Sequence, residues 1–426
     1  MRWGLSAVPY ENDREESSDS MSQDKTFRRV EYAGSVHDEA EIEAIVSVLR
    51  GGQTALRVGR KVGEMERLVA ALFGKKRGVM CNSGSSALYL AVDLLGLQPG
   101  DEIITSPVTF STDIACMVRS GIVPVFVDVE YDTYQIDVAA IERNIGPRTR
   151  ALLVPNLIGN CPDWDRIRAI ANTHNLKVVE DSCDCLGAKL RGTPTGTRSD
   201  ISVTSFAMSH IITAAGTGGM VLLDDPALVD RCLLLRRWGR RSEIKFYGSK
   251  KGDRSLFSTI DGIEYDDLFI FDEVGWNFEP SELSAAFGIV QIGKLATFLE
   301  QRKRNAAQLY ASLAKYPEVF IPPRITPDVD MAWHMFPILI RPESGVRRAA
   351  FQQHMESRGV DTRMVWTGNV TRQPAFKDKP YRADPQGLPN ADRVMQCGLI
   401  LPCTHACSDD DMAYICDQID GFFNKQ

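Results

Sequence analysis

The sequence predicts an α/β protein with a large, mostly parallel sheet and a smaller C-terminal α/β domain. The first observation is that short apolar runs alternate with segments of helical periodicity from residue 78 to about residue 230. Strands that alternate with helices need crossover connections, which give a parallel sheet covered on both faces. The second observation is a shorter alternation of the same kind after residue 315. The third is the length of 426 residues, which suggests about two or three domains.

The predicted elements begin with two amphipathic helices, at 38–49 and 64–73. Before them, residues 1–28 are rich in Ser, Asp, Glu and Arg and lack apolar periodicity, which predicts a disordered tail. Short apolar runs then predict the strands of the sheet, at 78–81, 102–105, 124–127, 151–155, 177–180 and 220–223. Segments of helical periodicity between these runs predict the covering helices, at 85–95, 114–120 and 162–174.

The C-terminal half of the prediction starts with an interruption at 240–272, where the polar and basic segment 247–254 predicts a long loop. A long helix follows at 280–310, and then the second alternation, with a strand at 336–340 and a helix at 346–357. We therefore expect a large domain at 29–295 and a small C-terminal domain at 296–426.

Composition limits the classes of function. The net charge of −7 disfavours a general role in nucleic-acid or membrane-surface binding. No apolar run approaches the roughly 20 residues that span a bilayer, and no signal-peptide pattern opens the chain, so we expect a cytoplasmic protein without a membrane partner. The ten cysteines do not follow a standard metal-site spacing. We interpret them as core residues and predict no bound metal.

Several residues suited to a phosphorylated cofactor follow predicted strands. Gly84 and Ser85 open a helix, where free backbone N–H groups bind phosphate; the alternative is a Ser-rich helix cap. Asp181 ends an apolar strand at the sheet edge that binds ligands, where it suits a protonated pyridine nitrogen; the alternative is a capping acid. Phe110 suits stacking on a flat ring, although a core phenylalanine is commoner. The hydroxyl of Ser205 is a candidate for contacting the cofactor phosphate; the alternative is a hydroxyl at a turn or a strand end.

The order of these residues, together with several motifs, resembles the DegT/DnrJ/EryC1/StrS family of sugar aminotransferases and dehydratases. The motifs are Ser83-Gly84-Ser85-Ser86-Ala87-Leu88, Pro99-Gly100-Asp101-Glu102, Val125-Phe126-Val127-Asp128-Val129, Glu180-Asp181-Ser182-Cys183 and Gly275-Trp276-Asn277-Phe278. The resemblance implies the aspartate aminotransferase-like fold (PLP fold type I) and pyridoxal 5'-phosphate (PLP) or pyridoxamine 5'-phosphate (PMP) as cofactor. It also implies a homodimer with shared active sites, because the asparagine that matches Asn277 reaches the phosphate of the other subunit's cofactor in that family.

His210 stands where sugar aminotransferases of this family carry the lysine that bonds covalently to the cofactor. An imidazole cannot form that imine, but it transfers protons near neutral pH, so the resemblance points to the dehydratase branch. The segments at 362–364 and 368–374 match the same branch and extend the resemblance to residues 35–424. The CDP-4-keto-6-deoxyglucose-3-dehydrase of that branch holds a [2Fe–2S] cluster with four cysteines. Only Cys183 matches one of them, which predicts that no such cluster is bound.

The resulting hypothesis is a PLP/PMP-dependent dehydratase acting on a 4-keto-6-deoxy nucleotide sugar or a related keto sugar. It removes the hydroxyl next to the keto group (C-3 deoxygenation), with His210 as base and glutamate as a candidate amino donor. Arg363 and Arg372 are candidates for binding an anionic part of the substrate; the alternative is solvated surface charge. Two other functions stay open. One is PMP-dependent aminotransfer or dehydration on a nucleoside or antibiotic-precursor sugar, and the other is a non-catalytic cofactor-binding paralogue.

Overall fold

The computed structural model describes residues 28–424, so nearly all of the predicted tail lies outside the described residues. The helices are α1 Glu39–Leu49, α2 Arg60–Phe73, α3 Gly84–Leu94, α4 Ser111–Arg119, α5 Trp164–Thr173, α6 Pro226–Arg236, α7 Ser242–Tyr247, α8 Glu282–Leu313, α9 Arg348–Ser357, α10 Pro389–Cys397 and α11 Asp409–Phe423. The strands are β1 Arg77–Cys81, β2 Glu102–Thr105, β3 Val123–Phe126, β4 Thr149–Pro155, β5 Lys177–Asp181, β6 Lys189–Leu190, β7 Thr193–Pro194, β8 Ile201–Ser205, β9 Gly219–Leu223, β10 Phe257–Ile260, β11 Ile263–Asp266, β12 Phe320–Ile321, β13 Val329–Asp330, β14 Phe336–Ile340, β15 Arg382–Ala383 and β16 Gly398–Leu401.

The central element is an eight-stranded sheet with the order β1-β9-β8-β5-β4-β2-β3-β15. Neighbours from β8 to β15 are parallel, and only β9 runs against the strands on either side of it. Val178 and Val179 of β5 are both fully buried and belong to cores on opposite faces of the sheet. A strand buried on both faces needs an apolar run rather than an alternating pattern, as the sequence has here. The predicted α/β fold with a large, mostly parallel sheet is confirmed.

A second, three-stranded antiparallel sheet, β12-β14-β16, lies in the C-terminal part. It shares one core with α9, α10 and α11, in which Phe336, Phe351 and Ile415 are buried. The chain does not divide cleanly, because α8 runs across the predicted boundary near residue 295 and β15 joins the edge of the large sheet. The proposed division into two domains stays a prediction.

The interruption at 240–272 contains a short helix before the predicted loop and a β-hairpin after it. α7 ends at Tyr247, and β10 pairs with β11 across a two-residue turn formed by Asp261 and Gly262. Both turn residues have positive φ, 50° and 84°, as a hairpin of this length requires. The predicted loop at 247–254 lies almost wholly between α7 and β10, whereas the hairpin that follows it was not predicted, because the Asp-Gly pair was overlooked.

α8 is the one described helix that is long and apolar enough to cross a membrane by length and composition alone. Its most apolar stretch is 44% buried inside the protein, and the helix packs against α1, α2 and α11. Core helices pass the same test, so we interpret α8 as the helix that joins the two sheets. The predicted cytoplasmic location stays a prediction.

α2 begins one turn earlier than predicted because a distant carboxylate caps it. Its N-cap residue is Gly59, which has no side chain to satisfy the first N–H groups. Glu282, at the start of α8, accepts hydrogen bonds from the backbone N–H groups of Gly59 (2.9 Å), Lys61 (3.0 Å) and Val62 (2.8 Å). A negative charge at a helix N-terminus also interacts favourably with the helix dipole.

Glu282→Ala should lower the free energy of unfolding by about 2–4 kcal/mol, because it leaves three N–H groups without their acceptor at a partly buried helix start. Chemical denaturation of the full chain measures the loss. Glu300→Ala on the same helix is the control, since the Glu300 side chain is 68% exposed and its ion pair with Lys303 should contribute less than about 1 kcal/mol. Equal losses for the two variants would contradict the capping role.

Candidate active site

A cavity of about 420 Å³ opens at the carboxyl ends of three neighbouring strands of the large sheet. Asn156 follows β4, Asp181 ends β5 and Ser205 ends β8, and all three line the cavity. The start of α3 adds Gly84 and Ser85. Ligands of α/β proteins bind at this edge of a parallel sheet, and the cavity is large enough for a small cofactor with part of a substrate.

Six of the predicted site residues line this one cavity. They are Gly84, Ser85, Phe110, Asp181, Ser205 and His210. Their convergence is a property of the fold, whereas their roles in cofactor binding and catalysis stay predictions. The cavity is not lined by the other three candidates, Asn277, Arg363 and Arg372.

The start of α3 forms an anion cradle. Ser83 caps the helix, and its Oγ accepts a hydrogen bond from the Ser86 N–H at 3.0 Å. The N–H groups of Gly84 and Ser85 belong to the first turn, which has no acceptors inside the helix, so they are available to an anion. Two glycines permit the close packing: a Cβ at Gly84 would lie 2.6 Å from Ser205 Cβ, and a Cβ at Gly219 would lie 2.1 Å from the Ser83 carbonyl oxygen.

Two buried carboxyl groups lie together at the end of β5. Burial raises the pKa of Asp181 to about 6, although the carboxylate accepts a hydrogen bond from the Cys183 N–H at 2.9 Å. Asp113, on α4, accepts a hydrogen bond from the Thr109 hydroxyl. Burial and the neighbouring Asp181 charge raise the pKa of Asp113 well above its usual range. Two such groups side by side favour a shared proton or a cationic partner.

His210 lies across the cavity floor beside a second histidine and an acid. Its Nδ1 is 3.7 Å from Asp184 Oδ1, and His334 Nδ1 is 3.5 Å from the same oxygen. The two imidazoles stack, with ring centroids 5.1 Å apart and planes 26° apart. Burial, followed by the proximity of His334, lowers the pKa of His210 to about 4, against the opposing effect of Asp184. His210 is therefore a neutral imidazole, able to accept a proton, at physiological pH.

A buried arginine, Arg302, contacts the backbone next to the histidine pair. Arg302, on α8, is 1% exposed, and its Nη1 donates to the carbonyl oxygens of Trp333 (3.2 Å) and His334 (2.5 Å). Its Nε donates to His405 Nδ1 at 3.1 Å. Burial lowers the pKa of Arg302 to about 10, which still leaves it cationic at neutral pH. Burial and the nearby guanidinium charge together lower the pKa of His334 to about 3.

The candidates outside the cavity have different surroundings. Arg363 stacks over the ring of Tyr32, 4.0 Å from its centroid, and Tyr32 lines the cavity. Arg372 pairs with Asp392, with 2.5 Å between Nη2 and Oδ2, and is not directed at the cavity. Asn277 is exposed on the surface next to the cradle, where its neighbour along the chain accepts a hydrogen bond from the Asn82 N–H at 3.1 Å.

Asp184, His334 and Trp366 are among the cavity residues that were not predicted as site residues. Asp184 had a signal, because a second acid three residues after Asp181 lies at the same sheet edge. His334 and Trp366 had none, since both come from the C-terminal part and reach the cavity only through its packing. Trp366 Nε1 donates to Asp184 Oδ2 at 2.9 Å, which joins the two parts of the chain at the site.

The buried histidine pair should make the free energy of unfolding fall as the pH becomes acidic. The pKa of His334 is about 3 in the folded state and 6.5 ordinarily, so the unfolded chain binds more protons between these values and stability falls as the pH falls below about 6.5. His334→Gln keeps a donor for the Ser209 carbonyl and removes the titration. Relative to wild type, it should gain on the order of 2 kcal/mol in unfolding free energy between pH 7 and pH 5, measured by chemical denaturation. A difference that is constant over this range would contradict the lowered pKa.

The amino-acid sequence is similar to those of known proteins of one family. Residues 35–420 match the DegT/DnrJ/EryC1/StrS aminotransferase family. The chain is 35% identical over 406 residues to dTDP-4-dehydro-2,6-dideoxy-D-glucose 3-dehydratase of Saccharopolyspora spinosa, covering 92% of this chain and 86% of that protein.

Two solved structures of GDP-4-keto-6-deoxymannose-3-dehydratase share the fold. One, with a trapped PLP-glutamate geminal diamine, has a TM-score of 0.83 and 28% identity and covers 92% of this chain and 100% of that chain. The other, a variant with a histidine replaced by asparagine and with bound GDP-perosamine, has a TM-score of 0.81 and 27% identity and covers 91% and 99%. The chain therefore belongs to the DegT/DnrJ/EryC1/StrS aminotransferase family.

Proposed function

We propose that this protein is a PLP/PMP-dependent 3-dehydratase, which removes the hydroxyl next to the keto group of a nucleotide-linked 4-keto deoxysugar. The observation that carries the proposal is the presence of an imidazole, His210, in a cavity that also holds an anion cradle and Asp181. The nature of the relatives supports the reaction class. The Saccharopolyspora spinosa protein is a 3-dehydratase of a dTDP-linked sugar, and one related structure holds a GDP-linked sugar.

The cavity residues fit PLP and PMP. The cradle at Gly84 and Ser85, with the Ser205 hydroxyl next to it, suits the phosphate. The buried Asp181 and its neighbour Asp113 favour a cation, as a protonated pyridine nitrogen provides. Phe110 is 56% exposed at the cavity, which leaves its face available for stacking on the ring. When bound, the cofactor supplies an electron sink for the loss of the hydroxyl.

The role of His210 is proton transfer. A neutral imidazole has one nitrogen lone pair, so it accepts the proton that must leave a carbon before the hydroxyl departs. Burial keeps the imidazole neutral at physiological pH, so no proton has to be removed from it first. Without a lysine at this position, the chain offers no amine there for a covalent bond to the cofactor. We also propose that the reaction proceeds without an iron–sulfur cluster, since the chain has no cysteine between Cys232 and Cys397.

The two arginine candidates differ in their support. Arg363 lies on Tyr32, at the rim of the cavity, and we propose that it binds an anionic part of the substrate or of an amino donor. Arg372 is held by Asp392, so a substrate would have to compete for it. We propose glutamate as the amino donor that restores PMP; glutamate is present with PLP in one related structure.

We further propose a homodimer in which Asn277 of one subunit completes the cavity of the other. Asn277 is exposed and does not line the cavity of its own chain. The segment that precedes Asn277 along the chain carries several exposed large apolar side chains, among them Phe257, Ile263, Phe271 and Val274, which is 99% exposed. Exposed apolar side chains that form a patch typically mark a protein–protein interface.

Replacing the imidazole tests the function directly. His210→Asn should lower the turnover of a 4-keto-6-deoxy nucleotide sugar by about 10²–10⁴-fold, the usual contribution of a general base. Turnover is measured by mass spectrometry of the 3-deoxy product, with PMP-loaded protein shown to be free of iron and sulfide. His174→Asn, at an exposed surface position, is the matched control and should retain wild-type turnover.

The same variant set separates the outcomes. His210→Lys should gain a borohydride-reducible bond to PLP, which wild type and His210→Asn should lack, because only the lysine offers an amine. Unchanged turnover in His210→Asn, or a reducible bond to PLP in the wild type, would contradict the role of His210. Turnover of nucleoside sugars but not of nucleotide sugars would favour the alternative substrate class.

Subunit mixing tests the shared site. Asn277→Asp is isosteric and places a negative charge next to the cofactor phosphate, so it should be inactive if Asn277 reaches that phosphate. Mixed dimers of His210→Asn and Asn277→Asp chains should then recover activity, because one of their two cavities combines an intact His210 with an intact Asn277. Mixing and re-equilibrating the two purified variants measures this. Two inactive variants that remain inactive after verified exchange would place Asn277 in its own subunit's site or outside any site.

A further inference from the structure

Asp184 lies between the two buried imidazoles of the cavity and contacts them unequally with its two oxygens. Oδ2 accepts hydrogen bonds from the Ile158 N–H at 3.0 Å and from Trp366 Nε1 at 2.9 Å. Oδ1 has neither of these donors and faces His210 Nδ1 at 3.7 Å and His334 Nδ1 at 3.5 Å. Both of these nitrogens are buried and have no hydrogen-bond partner. A hydrogen bond to Oδ1 requires a proton on one of these two nitrogens.

His334 does not carry it. Its Nε2 lies 2.8 Å from the carbonyl oxygen of Ser209, and a carbonyl oxygen only accepts, so Nε2 is protonated. His334 is fully buried and lies beside the cationic Arg302. Both conditions lower the pKa of the ring and keep it neutral. A neutral imidazole has a single N–H, so His334 Nδ1 presents a lone pair towards Asp184. It cannot donate to the carboxylate.

The hydrogen bonds to Oδ2 favour the charged carboxylate. Burial raises the pKa of Asp184 above its ordinary value, and the nearby His210 ring and the two N–H donors on Oδ2 act against that shift by stabilising the ionised form. The only remaining imidazole nitrogen that faces Oδ1 is His210 Nδ1. With its proton on Nδ1, His210 leaves the Nε2 lone pair free.

The exposure of the His210 ring agrees with this choice. Nδ1 is buried, yet the side chain as a whole is 16% exposed, so other ring atoms face the cavity. The stacked His334 ring limits the tilt of the His210 ring. The contact of Nδ1 with Asp184 then leaves Nε2 as the nitrogen that meets a ligand.

We infer that Asp184 and His334 are positioning residues that hold His210 as its Nδ1–H tautomer, with Nε2 as the atom that accepts the proton. The inference deepens the proposed function and rests on it for its effect on turnover. The tautomer itself is a property of the protein alone. The separation of Nδ1 and Oδ1 closes to hydrogen-bond length by a small rotation of either side chain, as catalytic contacts often do on ligand binding.

The test is the tautomer of His210, read by two-bond ¹H–¹⁵N NMR correlations in histidine-labelled, deuterated full-length protein, with and without PMP. His210→Asn and His334→Gln assign the two ring signals. We expect an Nδ1–H pattern for His210 and an Nε2–H pattern for His334. An Nε2–H pattern for His210, or a cationic His334, would overturn the inference. The same holds for a stoichiometric divalent metal whose removal by a chelator changes the two ring signals, since the three groups lie within 4.8 Å of one another.

Asp184→Asn tests the cause. The asparagine amide is able to donate to His210 Nδ1 and should shift the ring to the Nε2–H tautomer. Turnover should then fall by about 10²–10⁴-fold while PMP affinity stays within about threefold of wild type, because Nε2 no longer accepts a proton. Asp128→Asn is the matched control: it neutralises another largely buried carboxyl, which accepts the N–H groups of Asn390 and Ala391, and should leave the tautomer unchanged.

The outcomes separate this inference from the proposed function. A wild-type Nδ1–H pattern that persists in Asp184→Asn would overturn the role of Asp184, even if turnover fell. A tautomer shift with no dehydration of any nucleotide sugar by the wild type would leave the positioning intact and refute the proposed reaction. His334→Phe retains a stacked ring and removes the facing lone pair. It should keep the Nδ1–H tautomer, and a shift to Nε2–H in that variant would assign the control of the tautomer to His334 alone.

Discussion

The common direction of β4, β5 and β8 is the constraint on which the site depends. Pro155 pairs with Asp181 and Asp181 with Val203, so the three strands end side by side and release their following residues at one edge. β9 runs the other way, and its first residue, Gly219, pairs with Ser205 at that edge. The missing side chain at Gly219 lets the start of α3 approach from above. One parallel edge and one reversed strand therefore assemble a cradle, an acid and a hydroxyl from distant parts of the chain.

Burial then acts on this set of groups in opposite directions. Leaving water disfavours every charge, so it raises the pKa of Asp181 and lowers those of His210 and His334. The acid end of the cavity becomes a place that favours a cation, and the imidazole end becomes a neutral proton acceptor. Arg302 strengthens the second effect, because its charge lies beneath the imidazoles in the same dry interior. Environments that separate the pKa values of neighbouring groups are the usual means of assigning acid and base roles in one site.

Cavity residues could be predicted from the sequence where they directly follow an apolar run, because such a run indicates a buried strand. Asp181 was identifiable because it closes a buried strand, and Gly84 because a helix follows a strand there. Ser205 was singled out by its position five residues before His210, and the strand that it ends was not predicted. The partnership of Asp184 with His334 was not identifiable, because it depends on how a segment 150 residues later packs against the large sheet. Arg372 shows the converse: its basic motif suggested a ligand, but α10 places Asp392 against it. Long-range packing, rather than local pattern, decides both cases.

The presence of His210, rather than a lysine, at this position has a consequence for the retention of the cofactor. A covalent bond would hold the cofactor whatever the strength of its other contacts. With an imidazole there, retention of PLP or PMP under the proposed function depends on non-covalent groups: the cradle, Asp181 with its buried neighbour Asp113, and the aromatic face of Phe110. The buried Asp113, beyond the single acid needed to meet a pyridine nitrogen, fits this requirement, since a carboxyl pair attracts a cation more strongly than one carboxyl does. Under the proposed function, the attraction between the Asp181–Asp113 pair and the cofactor cation thus compensates for the absence of a covalent bond at His210.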